Sequence, residues 1–435
     1  MKRTLAKVAV GNLILWSLAL AVGCNCVCRS KPGSVGSAPS RTMGDPDKRP
    51  GALWHFVVSG DSRNCGDVIA PVIAKGAKID GAAFYWHLGD LRAIYNFDED
   101  MLQIAKIKDK PLNISAYELD AWEDFKRNQI GPFSNIPMPY YLGIGNHETI
   151  SPKNRCEFAR TFQTWLDQDN LQEGKNNSGP ASQIPSAAAK GTNAAEQSPT
   201  DTAQKCVKGC AACAQLEAKT YYHWTKSGVD FIYLDNATDD QFDQRQTDWL
   251  EGVLKNEDQS IKTIVVGMHK ALPWSVSCDH SMNADENGNE NPTGIKAGEQ
   301  VYRDLLKMEG KGKKVYVLAS HSHYFMSDIY NTRRWRSEGV LPGWIIGTAG
   351  AQRYPLPPGA DLTKSKTYVY GYLLGAVYPD GTIDFAFTEL KENEIPDGVK
   401  NTYTDHWISE ACFDRNRKPG PVTEPAYCKD TSALQ

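Results

Sequence analysis

The hydrophobic pattern becomes regular at Leu53-Trp54-His55-Phe56-Val57-Val58, a short apolar run of the kind a buried strand presents. Phe84–Leu88 and Tyr140–Ile144 repeat it. Between and after these runs, helical periodicity covers 67–75, 98–107, 116–128 and 155–167. Tyr221–Trp224 and Val229–Leu234, joined across Lys226-Ser227-Gly228, predict a hairpin. A helix over Asp243–Leu254, a strand over Thr263–Gly267 and a helix near 296–308 follow. Strands then dominate, at 314–319, 324–330, 342–347, 367–377 and 382–388. Strands alternating with helices and closing in a run of strands predict an α/β sandwich.

Three stretches break the pattern. Residues 24–52 are rich in Ser, Pro, Gly and charge and read as a tether. Residues 171–218 contain no aromatic side chain and are dense in Ala, Ser, Asn, Gly and Lys, which predicts a disordered, exposed insertion. Residues 391–435 are a polar, Pro-containing C-terminal extension. The domain is therefore read as 53–390, one unit, because its motifs run from residue 61 to residue 323 and have to converge.

Residues 1–23 read as a signal peptide. Lys2, Arg3 and Lys7 precede an apolar run from Val8 to Val22, too short for a membrane span of about 20 residues. The run ends Leu20-Ala21-Val22-Gly23-Cys24, which resembles a bacterial lipoprotein signal with Cys24 as the lipidated residue. Ala21-Val22-Gly23 also fits an ordinary cleavage site, and a retained anchor is the third possibility. The expected location is the cell envelope, lipid-anchored and facing the periplasm or surface, or else soluble secretion. The chain has 11 cysteines; with Cys24 lipidated, ten remain to pair outside the cytoplasm. Cys206, Cys210 and Cys213 have no second ligand pair at zinc spacing, so disulfides suit them better.

The 435 residues are 41% hydrophobic and 23% charged, an ordinary globular balance. A net charge of −4 without a basic stripe argues against nucleic acid as a partner. No Gly-x-Ser-x-Gly elbow and no phosphate-cradling Walker loop occur, which removes that class of serine hydrolase and a nucleotide-driven motor.

The chemistry lies at the strand ends. The first strand ends Ser59-Gly60-Asp61 and the second Leu88-Gly89-Asp90. The third ends Gly145-Asn146-His147-Glu148. The strand at 263–267 ends Met268-His269, and that at 314–319 ends Ser320-His321-Ser322-His323. In open α/β sheets this edge is where ligands bind. His321-x-His323 places two imidazoles on one side if the strand continues through them. A mixed oxygen and imidazole set suits Zn, Mn or Fe.

These motifs resemble those of the calcineurin-like metallophosphoesterases, which include the purple acid phosphatases. Gly-Asn-His-Glu at 145–148 is the most specific element, supported by Gly89-Asp90 and His321-x-His323. The resemblance implies a four-layer α/β/β/α sandwich of two mixed β-sheets flanked by helices, carrying a two-metal site. Asp90 would bridge the metals, Asn146, His269 and His321 would complete one, and Asp61 and His323 would serve the other. His147 would sit beside the substrate, stabilising charge or protonating the leaving alkoxide. One position departs from the pattern. Many members have Asp-x-His at the first motif; here it is Asp61-Ser62-Arg63. An arginine cannot ligate a metal, but it can clamp a phosphate oxygen. Purple acid phosphatases use a Tyr three residues after the second-motif Asp; here that residue is Ala93, with Ile94 next and Tyr95 two positions beyond it. Two outcomes stay open: one tight and one weaker metal, or Tyr95 as the missing ligand.

The resulting expectation is an exported, metal-dependent phosphoric ester hydrolase using a metal-bound hydroxide, acting on monoesters. A phosphodiesterase, or a non-catalytic phospho-ligand or metal-binding surface lipoprotein, are the alternatives. Asp235 and His87 are candidate supporting residues, and Trp274, His280 and Tyr354 candidate pocket residues. The membrane is expected to be touched only through a lipidated Cys24; oligomeric state and substrate are not legible.

Overall fold

The computed structural model describes residues 51–168, 170–171, 220–238, 242–423 and 425–431. The leader, Cys24, the Cys206–Cys213 cluster and all of the 171–218 insertion except Leu171 lie outside the described residues.

Twelve strands among the described residues form two mixed sheets. The first has order β12-β11-β1-β2-β3, with β1 at Trp54–Ser59, β2 at Ala82–His87, β3 at Tyr140–Leu142, β11 at Gly371–Val377 and β12 at Ile383–Glu389. β1, β2 and β3 run parallel, and β11 and β12 are added antiparallel. The second has order β10-β8-β9-β7-β6-β5-β4. There β4 is Tyr222–Lys226, β5 Val229–Leu234, β6 Thr263–Met268, β7 Lys314–Ala319, β8 Phe325–Ser327, β9 Gly343–Ile346 and β10 Ser365–Lys366. β5, β6, β7 and β9 are parallel, and β4, β8 and β10 antiparallel.

Side-chain alternation explains why the sheets stack. Along β5, Val229, Phe231 and Tyr233 join the core shared with the first sheet, and Ile232 and Leu234 join a second core on the outer face. Along β6 and β7, Val265, Tyr316 and Leu318 face inward, and Ile264, Val266, Met268, Val315 and Val317 face outward. A period of two with both phases apolar belongs to a strand buried on both faces. The inter-sheet layer is aromatic: Phe56 stands edge-on to Phe231 at 5.1 Å and Trp86 edge-on to Trp224 at 5.1 Å. Helices Gln244–Lys255 and Pro292–Gly310 cover the outer core of the second sheet through Trp249, Leu250, Val301, Tyr302 and Leu305. Helices Gly66–Ile79 and Ile114–Phe125 cover the first. The result is the four-layer α/β/β/α sandwich.

The segment read as an extension beyond residue 390 packs on this domain. Ile395, Tyr403, Ile408 and Cys412 are buried in its core. Disulfides join Cys65 to Cys412 and Cys278 to Cys428, and Cys156 is also disulfide-bonded. Among the described residues no helix is long and apolar enough to cross a membrane. The Cys65–Cys412 bridge closes a loop of 347 residues, so its loss frees much unfolded-chain entropy. Cys412→Ala is expected to destabilise the domain by about 2–5 kcal/mol. Calorimetry of the variant beside the oxidised wild type checks this; an unchanged melting temperature would show the bridge to be dispensable.

Candidate metal centre

The loops leaving β1, β2, β3, β6 and β7 meet where the two sheets adjoin. Asp61 N–H donates to Gly89 O (3.0 Å), and Ser320 N–H donates to His269 O (2.9 Å). Asp61, Asp90 and His321 have φ of 60°, 61° and 66°, a left-handed conformation that non-glycine residues rarely adopt. Each such residue costs about 1–3 kcal/mol and persists where the surroundings over-determine it. Here the reversal turns each side chain over the sheet edge. Two glycines let the loops touch: a Cβ on Gly89 (φ +96°) would lie 2.4 Å from Gly145 N, and one on Gly145 would lie 2.3 Å from Asp90 Oδ1. Glu148 locks the same contact, accepting from the N–H groups of Asp90 (2.9 Å), Leu91 (2.9 Å) and Gly145 (2.7 Å). Burial and the charge of Asp90 push its carboxyl up to about 8, and the three amides pull the other way.

The first cation position is built on His269 Nε2. Asn146 Oδ1 lies 2.9 Å away, His321 Nδ1 3.0 Å and Asp90 Oδ1 3.2 Å. His269 Nδ1 faces the carbonyl of Leu88 at 3.0 Å and has to donate there, so Nε2 carries the lone pair of the neutral ring. Asn146 Nδ2 donates to Glu286 (3.0 Å), which turns Oδ1 inward. Four lone-pair atoms thus converge in a buried site. Such crowding is relieved by a cation, and two imidazoles, a carboxylate and an amide oxygen fit a divalent transition ion. Burial lowers the proton affinity of His269, yet Asp90 outweighs it and holds the ring at about 9. A metal therefore competes with a proton for this lone pair.

The second position is bounded by Asp61, Asp90 and His323, whose ligand atoms also lie within 4.8 Å of one another. Here the residues do not fit an ion. The buried guanidinium of Arg63 stands among them, with Nη2 2.9 Å from His323 Nε2 and Nε 3.7 Å from Asp90 Oδ2. Its Nη1 contacts His147 Nε2. Burial works against the charge, but Asp90 and Asp61 keep it protonated well above its ordinary range.

All the ligands suggested by the sequence, Tyr95 excepted, come together. Tyr95 is 62% exposed, and its ring packs on that of His147 at 5.1 Å. Among the described residues no hydrogen bond joins it to Asp61, Asp90 or His323. Ile94 before it is buried in a left-handed conformation with φ 65°, which turns the chain before Tyr95 and leaves its side chain at the rim. His321 and His323 do not share a strand face: β7 ends at Ala319, and the left-handed His321 sends the two rings to different cation positions. His147 was expected to be able to protonate the leaving group. Its Nδ1 faces Ala93 O at 2.6 Å and donates there, so Nε2 accepts from Arg63. Burial and then Arg63 push this ring down to about 3, with Asp90 pulling the other way.

His87 lies beneath the site, 3.0 Å from Ser62 Oγ. Asp235 pairs with Arg155 at 2.8 Å, away from the ligands. Tyr354 stacks 4.1 Å from the His323 ring and His280 lies 5.9 Å from His321, whereas Trp274 is engaged by Glu299. Glu148 and Glu286 were not assigned roles from sequence. Glu148 belongs to the quoted motif; Glu286 sits in a polar loop with no signal.

No protein-family model and no curated protein matches the chain. Solved structures do resemble it in fold. A purple acid phosphatase from yellow lupin (Lupinus luteus) seeds is 15% identical over 86% of this chain, with a TM-score of 0.43, and the match spans 57% of the lupin chain. GAP50, the anchor in the inner membrane complex of Plasmodium, is 11% identical over 86% of this chain and 98% of its own, with a TM-score of 0.38. A dimetal phosphatase from Danio rerio is 10% identical over 75% of this chain and 94% of its own, with a TM-score of 0.39. At these values the likeness says nothing of what this chain does.

Proposed function

We propose that the chain is an exported, metal-dependent phosphoric ester hydrolase acting on monoesters. One divalent ion is held by Asp90, Asn146, His269 and His321, and Arg63 stands on the Asp61 and His323 side. The observation that carries this reading is the convergence of three lone-pair atoms on a fourth, His269 Nε2, within 3.2 Å of it. A divalent ion bound there supplies Lewis acidity and an activated water near neutral pH. Arg63 sets a fixed positive charge beside it for a phosphate oxygen, and His147 holds that guanidinium in place.

A cleft of about 340 Å³ leads away from Arg63, lined by Tyr95, Glu99, Gln352, Tyr354 and Arg415. Its polar walls favour a compact hydrophilic leaving group over an acyl chain. The leader pattern and the disulfides support export to the cell envelope, through a lipidated Cys24 or as a soluble protein.

One observation favours a second reading, a non-catalytic phospho-ligand-binding surface protein: the guanidinium stands where a second ion would complete the chemistry. A single experiment separates the two. Chelator-treated protein is supplied with Mn, Zn, Fe or Mg in turn and offered a panel of phosphomonoesters and diesters. Hydrolysis is expected to vanish on stripping and return with a transition ion, on monoesters. Full activity in protein shown metal-free by elemental analysis would sink the hydrolase reading. Metal and phosphate binding without turnover on any ester would establish the binder.

A further inference from the structure

We infer that Arg63 is itself the second cation of this centre, so that the site takes one divalent ion where its ligand set has room for two. The inference rests on the reading of the cluster as a metal centre and goes beyond it by fixing stoichiometry and the group that meets the phosphate.

The argument is one of lone pairs. His323 Nδ1 faces the carbonyl of Gln352 at 2.7 Å, and a carbonyl only accepts. The proton of the neutral ring is therefore on Nδ1, and Nε2 has one lone pair, directed at Arg63 Nη2, 2.9 Å away. His147 repeats this: Nδ1 donates to Ala93 O, and Nε2 accepts from Arg63 Nη1. An imidazole nitrogen has one in-plane lone pair to give. A metal bonds it at about 2.0–2.1 Å, which the guanidinium nitrogen at 2.9 Å excludes. Asp90 divides its oxygens between the two cations. Oδ1 faces the first position and accepts from His147 N–H (3.0 Å). Oδ2 is buried with no hydrogen-bond partner and looks to Arg63 Nε at 3.7 Å. Asp61 Oδ1, 3.1 Å from His323 Nε2, closes the set. Ring nitrogens and carboxylates that would hold an ion thus hold a guanidinium.

The substitution has chemical consequences. A guanidinium carries a single charge, stays protonated at any working pH and is not removed by chelators. It presents paired donors that match phosphate oxygens. It cannot activate a water, so that task falls wholly to the ion on His269.

Two measurements test this. Full-length protein is saturated with Mn or Zn, desalted and analysed for bound metal. One equivalent per chain is expected in the wild type and two in Arg63→His, which restores a ligand to that slot. Separately, inorganic phosphate is titrated into the metal-stripped protein. Binding is expected to persist and to weaken about ten- to a hundredfold in Arg63→Ala, the loss of charged hydrogen bonds. The wild-type count needs no variant and stands even if a substitution misfolds. Two tight equivalents in the wild type would overturn the inference while leaving the hydrolase reading intact. Unchanged phosphate affinity in a folded Arg63→Ala would overturn it too. No bound metal at all would overturn it together with the metal-centre reading beneath it.

Discussion

Asp90→Ala is expected to empty the centre of metal and to lower phosphoester hydrolysis by about a thousandfold or more, the several kcal/mol that a positioned cation contributes to such a transition state. Asp90 is fully buried and held at φ 61° by the Glu148 clamp. Its Oδ1 meets His269, and its unpartnered Oδ2 meets Arg63 at 3.7 Å. Burial raises the cost of ionising it, but His147, His269 and Arg63 hold its carboxyl well below the usual range. It is therefore the anion against which both cationic positions are balanced. Removing it costs the first position its only carboxylate and leaves Arg63 without its nearest counter-charge. Asp90→Asn keeps the shape and the acceptor for His147 N–H, so it separates loss of the ligand charge from loss of the loop. Elemental analysis, ester hydrolysis and thermal melting are compared across the three proteins. Full metal content in a folded Asp90→Ala would show that the cluster is held by its imidazoles alone.

Asp90 was legible in the sequence because its environment is. Strands buried on both faces, such as β5 and β6, leave long apolar runs, and whatever polar side chain follows such a run stands at the sheet edge. Asp61, Asp90, Asn146, His269 and His321 are all of this type. What pattern cannot report is direction after the strand has ended. His321 and His323 are two apart, yet a left-handed φ at His321 parts them. Arg63 is two residues past Asp61, and nothing local says that its guanidinium turns back onto His147 and His323. Tyr95 lies two residues beyond the position three after Asp90 and packs at the rim instead. The C-terminal segment was read as a polar extension because its anchors, Tyr403, Ile408 and Cys412, are widely spaced among charges, and a partner such as Cys65 lies 347 residues away.

Least legible of all was the support beneath the metal loop. The largest stability effect is expected from Arg92→Met, two residues after Asp90. The Arg92 side chain is fully buried and paired with four carboxylates, Asp67, Asp98, Asp100 and Asp124. These come from helices Gly66–Ile79, Glu99–Ile107 and Ile114–Phe125, and from the residue capping the second. Read singly, each is an ordinary surface or helix-start aspartate. Tyr117 OH donates to Asp98 at 2.6 Å, and Tyr403 OH donates to Asp67 at 3.0 Å, so the last helical segment leans on the same cluster. A single buried cation serves four acids, and the half-exposed Arg127 reaches Asp124 from outside at 3.2 Å. Burial pushes the carboxyls of Asp100 and Asp124 up, against the pull of Arg92. Methionine fills the volume and removes the charge, leaving buried carboxylates uncompensated at a cost of about 3–5 kcal/mol. The sign with pH follows. Without Arg92 these carboxyls rise further above their unfolded values, and a raised acid stabilises the fold below its unfolded pKa and loses that contribution as pH climbs through the folded one. The deficit of Arg92→Met relative to wild type should therefore shrink as pH falls from neutral toward 4. Denaturant melts of both proteins across that range decide it, with Arg92→Lys, which keeps the charge and loses the fork, expected between them. A variant within about 1 kcal/mol of wild type at neutral pH, or a deficit that grows on acidification, would mean that the four aspartates already share protons and that Arg92 does not neutralise them.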